Sequence, residues 1–146
     1  MPDSGTARAA HECFSHDADI GVRGTGGTLS QAFEQAALAL TSVITEPEQV
    51  APVQGPLEVA CEAPDYCILL ADWLNRLIYE MAVRHMLFSR FEVEISDHRL
   101  RARVWGEPLD RERHCPAVEI KGATYTGIDV SKKADGSWVA SCIVDV

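Results

Sequence analysis

The chain has 146 residues, 47% of them hydrophobic, and a formal net charge of −9. That is the size of one ordinary domain with enough apolar residues for a core that needs no staples. The acidic balance argues against a protein that holds nucleic acid through its own surface, because displacing counterions takes a basic face; it suits a cation, or a partner with a basic patch.

Met1 to Glu12 is small and polar and is expected to fray, which leaves residues 13–146 as the folded domain. Ile20 and Val22 alternate with Gly21 and Arg23, which predicts a strand starting near Asp19. The Gly24–Gly27 stretch lacks the Lys-Ser/Thr ending of a phosphate loop and reads as a turn. Thr28 and Gln31 have capping-box spacing, and Leu29, Phe33, Ala36, Ala37, Leu40, Val43 and Ile44 then recur at helical period until Pro47. Residues 46–56 carry Pro47, Pro52, Gly55 and Pro56 and read as a loop before a short strand at Leu57–Cys61. Asp65 caps a second predicted helix running to about His85, apolar over more of its circumference and therefore expected to be the better buried of the two. Beyond it the pattern turns to β. Phe91–Ile95 and Leu100–Trp105 alternate around an Asp97-His98 turn, Val118–Val130 alternates less cleanly, and Ser137–Val146 follows a turn at Ala134-Asp135-Gly136. Two helices on about six mostly antiparallel strands make a single layered α+β domain.

The five cysteines, Cys13, Cys61, Cys67, Cys115 and Cys142, are odd in number, widely spaced and free of any C-x-x-C pair. Neither a disulfide framework nor a thiolate zinc cluster is expected; buried, reduced thiols are. The start of the chain has no apolar stretch of signal-peptide type, and no run approaches the ~20 apolar residues of a membrane span, so a cytoplasmic protein without membrane contact is expected.

Three places could carry chemistry. Asp17 and Asp19, two apart, would point the same way on an extended segment and could share a hard cation, with His16 beside them; an ordinary acidic turn fits the same residues. Asp145 ends an apolar strand and Val146 follows it, placing two negative charges together if the chain ends there; taken alone, two groups facing water at a frayed end are the better reading. Lys121 interrupts a mostly apolar stretch and is either a phosphate contact or an edge-strand charge. His114 and Cys115 are neighbours without an obvious partner. No nucleophile elbow, H-E-x-x-H or nucleotide fingerprint is present, so an independent metal-dependent hydrolase is a poor reading.

Seven segments in order resemble the archease family: HDADIG at His16–Gly21, TLSQAFEQAALAL at Thr28–Leu40, LLADWLNRLIYE at Leu69–Glu80, LFSRFEVEI at Leu87–Ile95, WGEPLD at Trp105–Asp110, EIKGATYTGIDV at Glu119–Val130 and WVASCIVDV at Trp138–Val146. The resemblance implies an accessory protein, not an enzyme, that activates a GTP-dependent RtcB-type RNA ligase in tRNA splicing or RNA repair by promoting guanylylation and turnover. RNA would be met only through the ligase. The resemblance also implies a divalent cation, usually calcium, held by Asp19, Asp145 and a main-chain or terminal oxygen of Val146, with Asp17 and His16 as possible additions and Lys121 as a partner or phosphate contact. The last strand should then lie beside the first. A chaperone-like modulator of tRNA-modifying enzymes, such as an RNA methyltransferase, is the alternative role. Two departures stand out: Asp17 replaces a threonine of the family pattern, and Thr126 stands where that pattern often has histidine.

Overall fold

The structure, a computed structural model, describes residues 9–146. Among the described residues, eight strands form two antiparallel sheets, accompanied by three helices and one 3-10 turn at Pro47–Gln49. This is the expected α+β class, with more elements than the sequence pattern announced. The strands β1 (Ala10–His16), β2 (Asp19–Gly26), β8 (Trp138–Asp145) and β6 (Gly122–Ala123) lie in that order in a five-stranded sheet, and β7 (Asp129–Lys132) also pairs with β8. The second sheet is β3 (Gln54–Glu62), β5 (Arg99–Pro108) and β4 (Met86–Ser96).

The first eight positions of the stretch expected to fray lie outside the described residues, and the expectation fails from Ala10 onward. Ala10, His11 and Glu12 pair with Thr25, Gly24 and Arg23. Most of β1 is exposed on both faces, so it carries none of the apolar alternation by which strands are read. The glycines of Gly24–Gly27 are likewise not a turn, because β2 continues through Gly26. Gly24 is needed for packing instead: a Cβ there would meet the Ala36 nitrogen at 2.2 Å and the Ala32 oxygen at 2.3 Å. The main chain of helix α1 (Leu29–Ile44) lies directly on β2.

Helix α1 starts as its pattern says. The Thr28 side chain accepts the Gln31 N–H, while the Gln31 side chain accepts the Gly27 N–H at 2.8 Å. It is the better buried helix, contrary to expectation, with Phe33, Ala36, Ala37 and Leu40 essentially inaccessible. The reason is its position between the large sheet and the free edge of β4. Along that edge its polar side chains stand in for a missing strand: Glu34 accepts the Val93 N–H at 2.8 Å, Ser30 accepts the Ile95 N–H at 3.2 Å, and Thr41 donates to the Phe88 carbonyl at 2.7 Å. Helix α2 (Tyr66–Arg84), capped by Asp65 on the Ile68 N–H, buries Leu69, Leu70, Trp73, Leu74 and Leu77 but leaves Tyr79 and Val83 exposed. The Trp73 ring N–H donates to the Phe33 carbonyl at 3.1 Å, which satisfies its one polar atom inside the core.

The β4–β5 hairpin turns through Asp97 and His98, both at positive φ, as a two-residue primed turn requires. Val118–Val130 is not one strand. Only Gly122–Ala123 and Asp129–Lys132 pair, and the rest is irregular.

Candidate functional site

Ile20 lies opposite Val144 and Val22 opposite Cys142 across β2 and β8. One further step of that register sets Asp19 opposite Asp145, and residues opposite one another in an antiparallel pair project to the same face. On the other side of β2, His16 is paired with Asp19. Three chemically capable residues from both ends of the sequence thus form a row at one end of the large sheet. Asp19 and His16 are half-buried there and Asp145 is exposed. The last strand, β8, lies beside β2, the strand expected to start near Asp19, as the resemblance implied.

Lys121 is brought to the same end through its main chain. Its N–H donates to the Asp145 carbonyl at 2.7 Å, and Gly122 is the register partner of Asp145. The Lys121 side chain is exposed. The side chain of Val146 is half-buried against the core and carries no ligating atom, so only its main chain could donate. Asp17 departs from expectation. It sits in the β1–β2 turn at φ 52°, not on an extended segment, so the alternation that would have aimed it alongside Asp19 does not apply.

The next residues of β2 explain the glycine in this motif. The Phe14 ring lies over Gly21, where a Cβ would come within 2.1 Å of the ring, and the Arg23 guanidinium stacks 4.5 Å from the same ring centroid. The aromatic ring fills the space a side chain would occupy and clamps the hairpin that ends at Asp19.

In donor chemistry this end suits a hard cation, because carboxylate and main-chain oxygens are what calcium or magnesium takes. The protein's side chains alone fall short of a full shell. Among the described residues no three His, Cys, Asp or Glu side chains lie close enough together to hold a metal ion. Asp19 and Asp145 would supply charge, Val146 a main-chain oxygen, and water or a partner the remainder.

A second polar cluster was not foreseen in the sequence, which offered His114 only as a neighbour of Cys115 without an obvious partner. Glu107, near the end of β5, is 7% exposed, and His114, in the short helix α3 (Arg111–His114), is 2% exposed. Glu107 accepts two bonds from the Arg113 guanidinium, at 2.8 and 2.7 Å, one from the Ala51 N–H at 2.7 Å, and one from His114 Nε2 at 2.9 Å. The Asp110 N–H donates to His114 Nδ1 at 2.9 Å, which makes Nδ1 the acceptor and Nε2–H the donor to Glu107. Thr45, one residue past α1, donates to the His114 carbonyl at 2.6 Å. The Arg113 guanidinium, helped by the Ala51 N–H and His114, holds the Glu107 carboxyl down to about 2 despite its burial. Only the E-x5-R-H spacing hinted at this cluster, and that spacing carries no motif of its own.

The cysteines are all free. Cys142 alone is buried, with its thiol pushed up to about 11 by desolvation, while Cys13 and Cys115 are exposed, against the expectation of burial.

The family model described as the Archease protein family (MTH1598/TM1083) matches residues 11–146. The chain belongs to the archease family. Protein archease of Pyrococcus abyssi is 37% identical over 139 residues, 92% of this chain and 97% of that protein. Among solved structures, protein 1598 of Methanobacterium thermoautotrophicum superposes with a TM-score of 0.73 at 26% identity, covering 94% of this chain and 99% of that one. An archease of Thermotoga maritima, described as a possible chaperone, superposes with a TM-score of 0.58 at 16% identity, covering 91% and 94%, a likeness of fold alone. Among the described residues of this archease no helix is long and apolar enough to cross a membrane.

Proposed function

We propose that this archease is a metal-binding accessory protein that activates a GTP-dependent RtcB-type RNA ligase, promoting its guanylylation and multiple turnover in tRNA splicing or RNA repair. What supports this reading is the β2–β8 register: continued one pair beyond Ile20–Val144 it would set Asp19 opposite Asp145 at one sheet end, where the Lys121 N–H donates to the Asp145 carbonyl. Two carboxylates drawn to one place repel unless a positive charge sits between them. A divalent cation, calcium first, answers that need, with Val146 adding a main-chain oxygen. When bound, the cation supplies positive charge for the ligase's nucleotide phosphates. The chain's own groups hold it at an accessible sheet end, and Lys121 offers a second positive charge to phosphate or to the partner. His16, paired with Asp19, and Asp17, at the hairpin tip, border this end and modulate it.

The test is ligase guanylylation with the ligase of the same organism, with and without this protein. Stimulation is expected, and Asp19→Ala and Asp145→Ala should each abolish it. Full stimulation by either variant would overturn the role of the acidic pair.

A second reading, a chaperone-like modulator of an RNA-modifying enzyme, draws support from Tyr79 and Val83, apolar side chains 60% and 52% exposed on α2. Altered methyltransferase specificity in the absence of the ligase would favour it.

A further inference from the structure

The strand β6, which follows Lys121 and pairs Gly122 with Asp145, is two residues long. So short a strand does not hold its place by ladder bonds to one neighbour alone. On its β8 side it has Lys121 N–H to the Asp145 carbonyl at 2.7 Å and Thr124 N–H to the Ile143 carbonyl at 2.9 Å. On its other side there is no strand among the described residues. There the half-buried amide of Asn75, from the middle of α2, takes both polar groups of one residue: the Ala123 N–H donates to Asn75 Oδ1 at 2.9 Å, and Asn75 Nδ2 donates to the Ala123 carbonyl at 3.3 Å. A side-chain amide has the same donor and acceptor as a peptide unit, so Asn75 completes β6 as a neighbouring strand would. Its own placement is rigid, because Trp73, Leu74, Leu77 and Ile78 around it on α2 are buried in the core.

We infer that Asn75 is a positioning residue for the acidic sheet end. It touches neither Asp19 nor Asp145, but it fixes the Lys121–Ala123 backbone against Asp145 and so sets how well that end holds a cation. This rests on the metal-binding reading above. The residues that orient a metal site from behind typically alter affinity by roughly 10- to 100-fold when removed.

The experiment uses the full chain and two readouts: terbium luminescence titration as the cation probe, and amide hydrogen exchange at Lys121 and Thr124. Asn75→Leu, close in size but without the amide, should weaken terbium binding by about 10-fold. It should also speed exchange at both amides while leaving exchange in the β4–β5 hairpin unchanged. Asn75→Ser, too short to reach Ala123, repeats the test without an added apolar group if the leucine variant does not fold. Wild-type terbium affinity in both variants, or unchanged exchange at Lys121 and Thr124, overturns the inference. If the wild type binds no terbium, the metal reading falls instead, and the exchange result alone decides the role of Asn75.

Discussion

The acidic sheet end and the Glu107–His114 corner both gather ionisable side chains, and they treat charge in opposite ways. At the corner, Glu107 receives bonds from Arg113, His114 and the Ala51 N–H, and its buried carboxylate is left with no unmet demand. At the sheet end, Asp19 and Asp145 each lie one residue beyond the Ile20–Val144 pair, and the Lys121 ammonium is exposed to solvent. The first arrangement is what a fold needs in order to bury charge, since an uncompensated buried charge costs several kcal/mol. The second leaves electrostatic demand for something outside the chain to meet. A titratable group answered from within reads as structure, and one left open at an accessible edge reads as function.

The largest expected effect breaks the corner. Glu107→Ala leaves His114 and Arg113 without their acceptor and should cost about 3 kcal/mol of stability, in the range for removing one partner of a buried pair. Asp145→Ala, at an exposed strand end, should stay within about 0.5 kcal/mol of the wild type. Urea denaturation of both variants checks the contrast; equal losses would erase the distinction between the two clusters.

Acid sharpens the comparison next. The Glu107 carboxyl is held at about 2 against an ordinary 4.5, a depressed value, so its contribution is whole above 4.5 and is lost as pH falls toward 2. Glu80, lowered by Arg84 and Arg76, works in the same direction. The melting-temperature gap between wild type and Glu107→Gln should therefore be widest near neutral pH and close through that acid window. A gap constant with pH would mean that the carboxylate charge is not what the corner uses.

The smallest effect concerns Asp17. Standing at a turn and not on the extended strand, it should add only long-range charge, so Asp17→Thr should weaken cation binding by no more than about 3-fold, a loss below 1 kcal/mol as expected of an exposed charge. Calcium titration by calorimetry measures it. A loss as large as that of Asp19→Ala would make Asp17 a ligand.

What could be read from the chain alone was local. Thr28 and Asp65 cap their helices, Asp97-His98 turns its hairpin, and Arg99 to Trp105 alternates outward and inward, because capping, turn geometry and side-chain period all act within a few residues. The motifs at His16–Gly21 and at the chain's end were visible, as was the family they resemble, and they named Asp19, Asp145 and Lys121 as candidates. Strand β1 was missed because both its faces are largely exposed, and α2 was taken for the better buried helix because periodicity does not say how much of a helix its neighbours cover.

Only the tertiary structure decided which candidates meet. The β2–β8 register pairs Ile20 with Val144 and so brings the strand ends that carry Asp19 and Asp145 to one side of the sheet; the β1–β2 turn takes Asp17 out of the extended strand, and His16 stays paired with Asp19. Burial gave Glu107 and His114 their partners, and α2 brought Asn75 to Ala123 across 48 residues of sequence. The physical reason is the same in each case. A carboxylate, an imidazole or an amide has no fixed meaning until its neighbours set its hydration and its hydrogen bonds, and those neighbours come from segments that no local pattern connects.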